Sequence, residues 1–403
     1  MTEERWLAVV GVGEDGIDGL SPAARRLVAQ AAFVVGGKRH LALAGPLTAE
    51  TLLWPSPIEN ALDAIEARRG RPACVLASGD PFFFGVGAVL MRRFAADEMI
   101  CVPAPSAFAF AAARLGWSQQ DCALLSLHGR PLEAIIPHLQ PDARILALSW
   151  DDATPAKVAA LLTARGMGRS KLTVCEAIGG PRERIRETQA QDFALENVAD
   201  LNTIALEAVV DRSARVLPRA AGLPDDWFEH DGQITKREIR AMTLSQLAPR
   251  RGELLWDVGS GSGSVAIEWM LADPANRAVA IEGRHNRAAR VARNALTFGV
   301  PGLSIVTGDA PQAFADLAKP DAVFIGGGAN SPGLIDRAID ALSAGGRLVV
   351  NAVTLETQAA SVDWRARWGG DLVHIAIAHA EPVGRYSGWR AAMPIVQWRL
   401  LKP

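Results

Sequence analysis

The stretch Trp256-Asp257-Val258-Gly259-Ser260-Gly261-Ser262-Gly263-Ser264 has the residue types to cradle a small ligand. It lies between an apolar, strand-like run and a helix-like run from Val265 to Leu271. Glycines at 259, 261 and 263 allow tight turns and close approach of backbone to a ligand. The following helix start offers free N–H groups to an anion. Glu282 ends the next strand-like run, where a carboxylate takes both hydroxyls of a ribose. Asp309, in Gly308-Asp309-Ala310, follows the third run and can accept an exocyclic amine from adenine. A dinucleotide fingerprint needs glycine where Ser264 stands, so the match to a nicotinamide cofactor is imperfect. Phe324-Ile325-Gly326-Gly327-Gly328 ends the fourth run. Its glycines suit either close approach of a large, flat substrate or a flexible loop.

The first half carries a different set. Val10-Gly11-Val12-Gly13 follows an initial strand-like run, and by itself is a weak glycine turn. Ser78-Gly79-Asp80-Pro81-Phe82-Phe83-Phe84-Gly85 places one carboxylate and several backbone groups after a strand, at the edge where α/β sheets bind ligands. Pro103-Ala104-Pro105-Ser106 ends another strand and caps a helix.

These positions need elements to hold them. In the first half, strands are expected at Trp6 to Val10, Ala73 to Ala77, Met99 to Pro103, Ala123 to Leu127, Ile145 to Ser149, Lys171 to Glu176 and Thr203 to Val209. Helices fit at Gly87 to Ala96 and Ser106 to Leu115, and Ser21-Pro22 opens another. The alternation argues for a largely parallel sheet covered by helices. Residues 212–226 contain Pro218, Gly222 and Pro224 without periodicity and read as a linker. This divides the chain into domains 1–211 and 227–403. Thr235 to Glu238 reads as a capping box. Strands follow at Leu254 to Val258, Ala278 to Glu282, Ser304 to Thr307, Ala322 to Ile325 and Gly346 to Asn351. Leu372 to Ala378 and Pro394 to Leu400 suggest an antiparallel hairpin at the sheet edge.

Composition narrows the class. The 403 residues are 49% hydrophobic and 21% charged, with a formal net charge of -2. That is not the footprint of a nucleic-acid binder. No apolar run reaches the roughly 18 residues of a membrane span. The N-terminus does not read as a signal peptide. Cys74, Cys101, Cys122 and Cys175 lack CxxC spacing and read as buried structural thiols in a reducing cytoplasm. No metal site is expected.

Asp257, two positions before the first glycine of its loop, resembles the pattern of S-adenosylmethionine (SAM) methyltransferases. There the loop holds the methionine end of the cofactor. The glycine loop after the fourth strand-like run lacks the Asn-Pro-Pro-Tyr-type motif of DNA and amide methylases. The first half resembles the tetrapyrrole methylase family in Gly11-Val12-Gly13, Ser78 to Gly85, Pro105-Ser106, Leu127-His128-Gly129-Arg130 and Asn202 to Ala205. The second resembles a C15-methylating, decarboxylating module in Asp257 to Glu268, Asp321 to Gly328 and Pro382-Val383-Gly384-Arg385-Tyr386. In this order, the halves resemble the C5,15-methylating, decarboxylating enzymes of aerobic cobalamin synthesis.

The resemblance implies an α/β chain with an N-terminal tetrapyrrole-methylase (class III) fold and a C-terminal Rossmann-like (class I) methyltransferase fold. It implies one SAM per domain, C5 methylation by the first, and C15 methylation with decarboxylation by the second. The implied substrate is precorrin-6B, whose C12 acetate would lose carbon dioxide, and the implied product is precorrin-8X. Cofactor contacts carry over to Gly11, Gly13, Gly79, Asp80, Phe83, Ser106 and Ala107 in the first half. In the second they fall on Asp257, Gly259, Gly261, Gly263, Glu282, Asp309 and Ala310. Substrate contacts are expected from Gly326, Gly327, Gly328, Arg130, Arg385 and Arg390, because arginine binds carboxylate arms bidentately. His128, Tyr386, Glu356 and His379 are candidate acids, and the sequence does not choose among them. Arg182, Arg184 and Arg186 read as a solvated stripe, and the tryptophans as core apart from Trp389. Related modules associate, which implies a homo-oligomer. Two other readings are a methyltransferase with one live site on another tetrapyrrole, and a nicotinamide-dependent oxidoreductase. A third is a cofactor-binding scaffold without catalysis.

Overall fold

The computed structural model describes residues 5–403, which divide into two compact units. The first holds the chain up to Leu132 together with His138–Val216. The second holds Glu133–Pro137 and Leu217–Pro403. No helix among the described residues is long and apolar enough to cross a membrane.

The first unit contains two five-stranded sheets. Its first sheet comprises β1 (Leu7–Val12), β2 (Phe33–Gly36), β3 (Glu50–Leu53), β4 (Ala73–Ser78) and β5 (Met99–Val102). All run parallel in the order β3-β2-β4-β1-β5. The sequences LAVVGV and ACVLAS of β1 and β4 are near-continuous apolar runs, as strands covered on both faces require. Val9, Val35 and Val75 pack on one side, and Val10, Val34 and Leu76 on the other. The helix Pro22–Gln30 starts as expected, with Ser21 Oγ accepting the Ala24 N–H at 3.2 Å.

The second sheet comprises β6 (Cys122–Ser126), β7 (Arg144–Leu148), β8 (Lys171–Glu176), β9 (Arg184–Gln189) and β10 (Asn202–Glu207), in the order β6-β7-β10-β8-β9. Only β6 and β7 pair in parallel. The expected single, largely parallel sheet is thus corrected to one parallel and one mostly antiparallel sheet. Connection length accounts for the β8–β9 pair, because the short segment between them cannot make a crossover. Arg184 and Arg186 on β9 are not merely solvated. Both bond the buried Glu176 carboxylate, at 2.6 and 2.9 Å.

The second unit is a seven-stranded sheet. Its members are β11 (Leu254–Val258), β12 (Arg277–Glu282), β13 (Ser304–Thr307), β14 (Ala322–Ile325), β15 (Arg347–Ala352), β16 (Asp371–Ile375) and, after the separate hairpin β17 (Ala378–Val383) and β18 (Tyr386–Ala391), β19 (Ile395–Leu401). The order is β13-β12-β11-β14-β15-β19-β16. The first five run parallel, and β19 is antiparallel to both neighbours. The expected terminal hairpin therefore pairs as predicted but does not form the edge together. β19, with Trp398 fully buried, lies inside, and of the two strands β16 alone is at an edge.

The expected linker is half packed. Leu217 and Leu223 are buried, and the Gly222 and Leu223 amides donate to Glu268 at 2.6 and 2.9 Å. Fully buried Arg240 donates to Glu268, to Asp225, and to the carbonyls of Leu223 and Thr235. Its guanidinium also lies over the Phe228 ring. This network holds Thr235 outside the helix, which starts at Arg237 with Lys236 as an N-cap that makes no side-chain bond. The capping box at Thr235 does not form.

Candidate active sites

In the second unit, strand order reverses about β11, so the loops after β11 and β14 meet at the carboxyl edge where such sheets bind ligands. A Cβ on Gly259 would lie 2.8 Å from the Gly327 carbonyl oxygen, so glycine is what lets these loops touch. Gly259, Gly261 and Gly263 all have left-handed φ, of 67°, 61° and 76°. Glu282 ends β12 almost fully buried. Its two oxygens accept the Gly261 and Arg284 amides at 2.9 and 3.0 Å. Asp309 lies over Gly283, where a Cβ would be 2.5 Å from Asp309 Oδ1.

Asp257 is buried on β11. Its Oδ2 accepts the Ala266 N–H at 3.0 Å, while Oδ1 has no partner. Burial pushes its carboxyl up to about 7; the Ala266 bond opposes the rise and the Glu282 charge adds to it. The hydroxyls of Ser260 and Ser262 are likewise buried without partners.

The glycine loop after β11 and Glu282 border a cavity of about 1140 Å³. Gly259, Ser260, Gly261, Glu282, Asp309 and Ala310 form one wall. Gly326, Gly327 and Gly328 line it too. Another part is apolar, built from Ile234, Leu334, Ile375, Ile377, Met393 and Ile395. Ile375 and Ile395 are paired neighbours on β16 and β19. Lys236, Arg237, Arg284 and Arg287 also reach it, and the last is paired with Asp231 at 2.9 Å. A cavity with paired carboxylates on a glycine wall fits an adenosyl cofactor.

Other expected residues lie elsewhere. Tyr386, Arg385, Arg390 and Glu356 are exposed and outside the cavity lining. Arg390 is engaged by Glu381 at 2.8 Å across the β17–β18 hairpin, and Arg385 lies over the Tyr386 ring. Trp389 is 80% exposed and also outside it. Of the candidate acids, His379 does line the cavity. Ile375, Ile377 and His379 reach this wall from the end of β16, the connection after it and the start of β17, so no single strand period announces it.

In the first unit, the ends of β1, β4 and β5 are stitched together. The Gly79 amide donates to Val12, and the Ala104 amide to Gly79. A Cβ on Gly11 would sit 1.8 Å from the Gly79 oxygen and 2.6 Å from the Ala104 nitrogen. Bare backbone therefore lines this edge, which fits a cofactor held by main-chain groups. Asp80 Oδ1 accepts the Phe82 amide at 2.9 Å, and Ser106 caps the helix Ala107–Leu115. Phe83 packs on Phe108, and Arg130 lies 5.3 Å over the Phe84 ring, bringing the two motifs together. His128 is exposed beside Trp150.

The sequence reading missed a cluster at this edge. Arg39 donates to Glu14, to Ser78 Oγ at 2.7 Å and to His40 Nε2 at 3.1 Å. His40 Nε2 lies 2.8 Å from the same hydroxyl. Burial, then Arg39, push His40 down to about 4. The signal was Gly36-Gly37, a glycine turn after an apolar run. Among the cysteines, Cys74 and Cys175 are buried as expected, but Cys101 is exposed.

The folds and sites define a methyltransferase of two parts, a tetrapyrrole-methylase unit followed by a Rossmann-like unit. The family model described as tetrapyrrole (corrin/porphyrin) methylases matches residues 7–194, and that of the precorrin methyltransferase domain matches residues 226–402. The precorrin-6Y C(5,15)-methyltransferase [decarboxylating] of Sinorhizobium sp. is 56% identical over 398 residues, covering 98% of this chain and 96% of that one. Its Mycobacterium tuberculosis counterpart is 42% identical, covering 98% and 100%. A crystal structure of the C-terminal domain of the Rhodobacter capsulatus enzyme is 50% identical over 46% of this chain and 100% of that one, with a TM-score of 0.44. The chain belongs to the precorrin-6Y C5,15-methyltransferase (decarboxylating) family.

Proposed function

We propose that this chain methylates C5 and C15 of precorrin-6B and decarboxylates its C12 acetate arm, giving precorrin-8X. Each unit uses its own SAM, with C5 methylation in the first and C15 methylation with decarboxylation in the second. The observation that carries this reading is the pairing of two glycine-built strand edges, of different fold, in one chain of this family. When bound, SAM supplies an electrophilic methyl group on a sulfonium centre.

The residues of the second unit then have definite tasks. Glu282 offers two fixed acceptors to a ribose, and Asp309 offers one to an adenine. The three glycines at 326–328 leave room for a flat macrocycle, whose underside meets the apolar wall. Lys236, Arg237 and Arg284 are cations at the same cavity. They replace Arg385 and Arg390 as partners for the carboxylate arms. Positioning of the acceptor carbon against the methyl group is the main source of rate. In the first unit, the edge formed by Gly11, Gly79 and Ala104 holds the cofactor, and Arg130 faces the arms.

The test is the mass of the product made from precorrin-6B and methyl-labelled SAM. Two labelled methyls gained and one carbon dioxide lost is the expected result. One methyl with decarboxylation would remove the first unit from the reaction. No change of mass would overturn the substrate.

A further inference from the structure

Decarboxylation needs a proton donor, and the cavity of the second unit contains a side chain suited to that task. We propose that His379 is the acid that protonates the substrate carbon as the carboxylate leaves, an inference that rests on placing decarboxylation in the second unit. Ile375 ends β16, Ile377 lies in the two-residue connection, and His379 follows at the start of β17. All three line the cavity. An apolar surface thus ends in an imidazole.

Elimination leads to the same residue. Carboxylates as a class release their protons near pH 4, and guanidinium and ammonium groups hold theirs past about pH 10. An imidazole can donate a proton through one ring nitrogen and take one up through the other. Among the lining residues, His379 is the one imidazole, and no cysteine or tyrosine is present. Several of the other titratable groups already have protein partners. Glu282 is bound to two amides, Asp225 to Arg240, and Arg287 to Asp231. The charges nearest His379 in sequence and register are Arg390, directly opposite on β18, and Glu381, two residues on. These two bond each other at 2.8 Å, so neither presents a free charge to the imidazole.

The step balances without oxidant or reductant. The bond between the acetate methylene and its carboxylate breaks, and carbon dioxide leaves. The electron pair stays on the methylene carbon and spreads into the conjugated ring. As it does so, an N–H of the His379 imidazolium breaks, and its proton joins that carbon to complete a methyl group. The neutral imidazole, exposed at the cavity edge, regains a proton from solvent.

The experiment uses the full chain carrying His379→Asn, with precorrin-6B and labelled SAM. Carbon dioxide release and methyl gain are followed separately. General acid catalysis contributes about 10²–10⁴-fold, so release falls at least about 100-fold relative to methyl gain. Added imidazole restores part of it, which a merely structural loss would not allow. SAM affinity, measured by calorimetry, stays within about twofold. Unchanged carbon dioxide release in the variant overturns the proposal. If the unsubstituted chain gains methyls yet releases no carbon dioxide, it is the decarboxylation assignment that fails, independently of His379.

Discussion

Replacing Asp257 with asparagine should stabilise the cofactor-free second unit at high pH and destabilise it at low pH. The fold raises this carboxyl from 3.8 to about 7, chiefly by burial. A raised carboxyl favours the protonated form. Its stabilisation is therefore complete below the ordinary value and is lost as pH climbs through about 7. Moving a titration midpoint by one pH unit is worth about 1.4 kcal/mol, so the ionised side chain costs roughly 4 kcal/mol at pH 8 and under about 1 kcal/mol at pH 4. Asparagine keeps an acceptor for the Ala266 N–H and cannot ionise. Its NH₂ group, however, enters the site where Oδ1 has no partner, at a cost of about 1–3 kcal/mol. The balance is a gain of about 1–3 kcal/mol at pH 8 and a loss of similar size at pH 4. Urea unfolding of the full chain at both pH values, followed through the buried Trp256, Trp269 and Trp398, would show this inversion. A stability difference of one sign and size at both pH values would refute the reasoning.

Three further outcomes are expected. Gly11→Ala forces a Cβ against the Gly79 oxygen and the Ala104 nitrogen; the product should then gain one labelled methyl instead of two, and the melting transition of the first unit should fall. Arg240→Met leaves the buried Glu268 carboxylate without its cation, so the urea midpoint of the second unit should drop by an amount equivalent to about 3–5 kcal/mol. His40 stays neutral down to about 4, whereas an unfolded histidine takes up its proton near 6.5. Stability therefore falls by up to roughly 3 kcal/mol as pH drops between those values. NMR titration of the ring should show the low midpoint, and His40→Gln should flatten the stability slope.

What the sequence made legible was local. The glycine loop at 259–263, Glu282 and Asp309 each follow a strand, and a strand's end fixes where its loop projects. Pairing was harder to read. β2 and β3 are four-residue strands that match no long period, and β9 is a charged edge whose partners appear only when Glu176 is seen beneath it. Charge burial also overrode local grammar. Arg240 claims the Thr235 carbonyl, so a good capping sequence stays outside its helix. Arg385, Tyr386 and Arg390 looked like a substrate loop because arginine beside an aromatic suits a carboxylated ring. The β17–β18 hairpin instead presents them to solvent, while the cavity draws its cations from Lys236, Arg237 and Arg284. That exchange depends on tertiary placement and has no period or motif to announce it.

The Glu282 carboxylate has a thermodynamic consequence. A glutamate side chain gives up about 1.5–2 kcal/mol of rotamer entropy when it is fixed. With one amide on each oxygen, that loss falls on folding, and a spare lone pair remains on either side. A ribose arriving here meets an acceptor pair that has no disorder left to surrender. Much of the usual entropic penalty of forming two hydrogen bonds is therefore absent from the association itself, and the release of ordered water sets the entropy of binding.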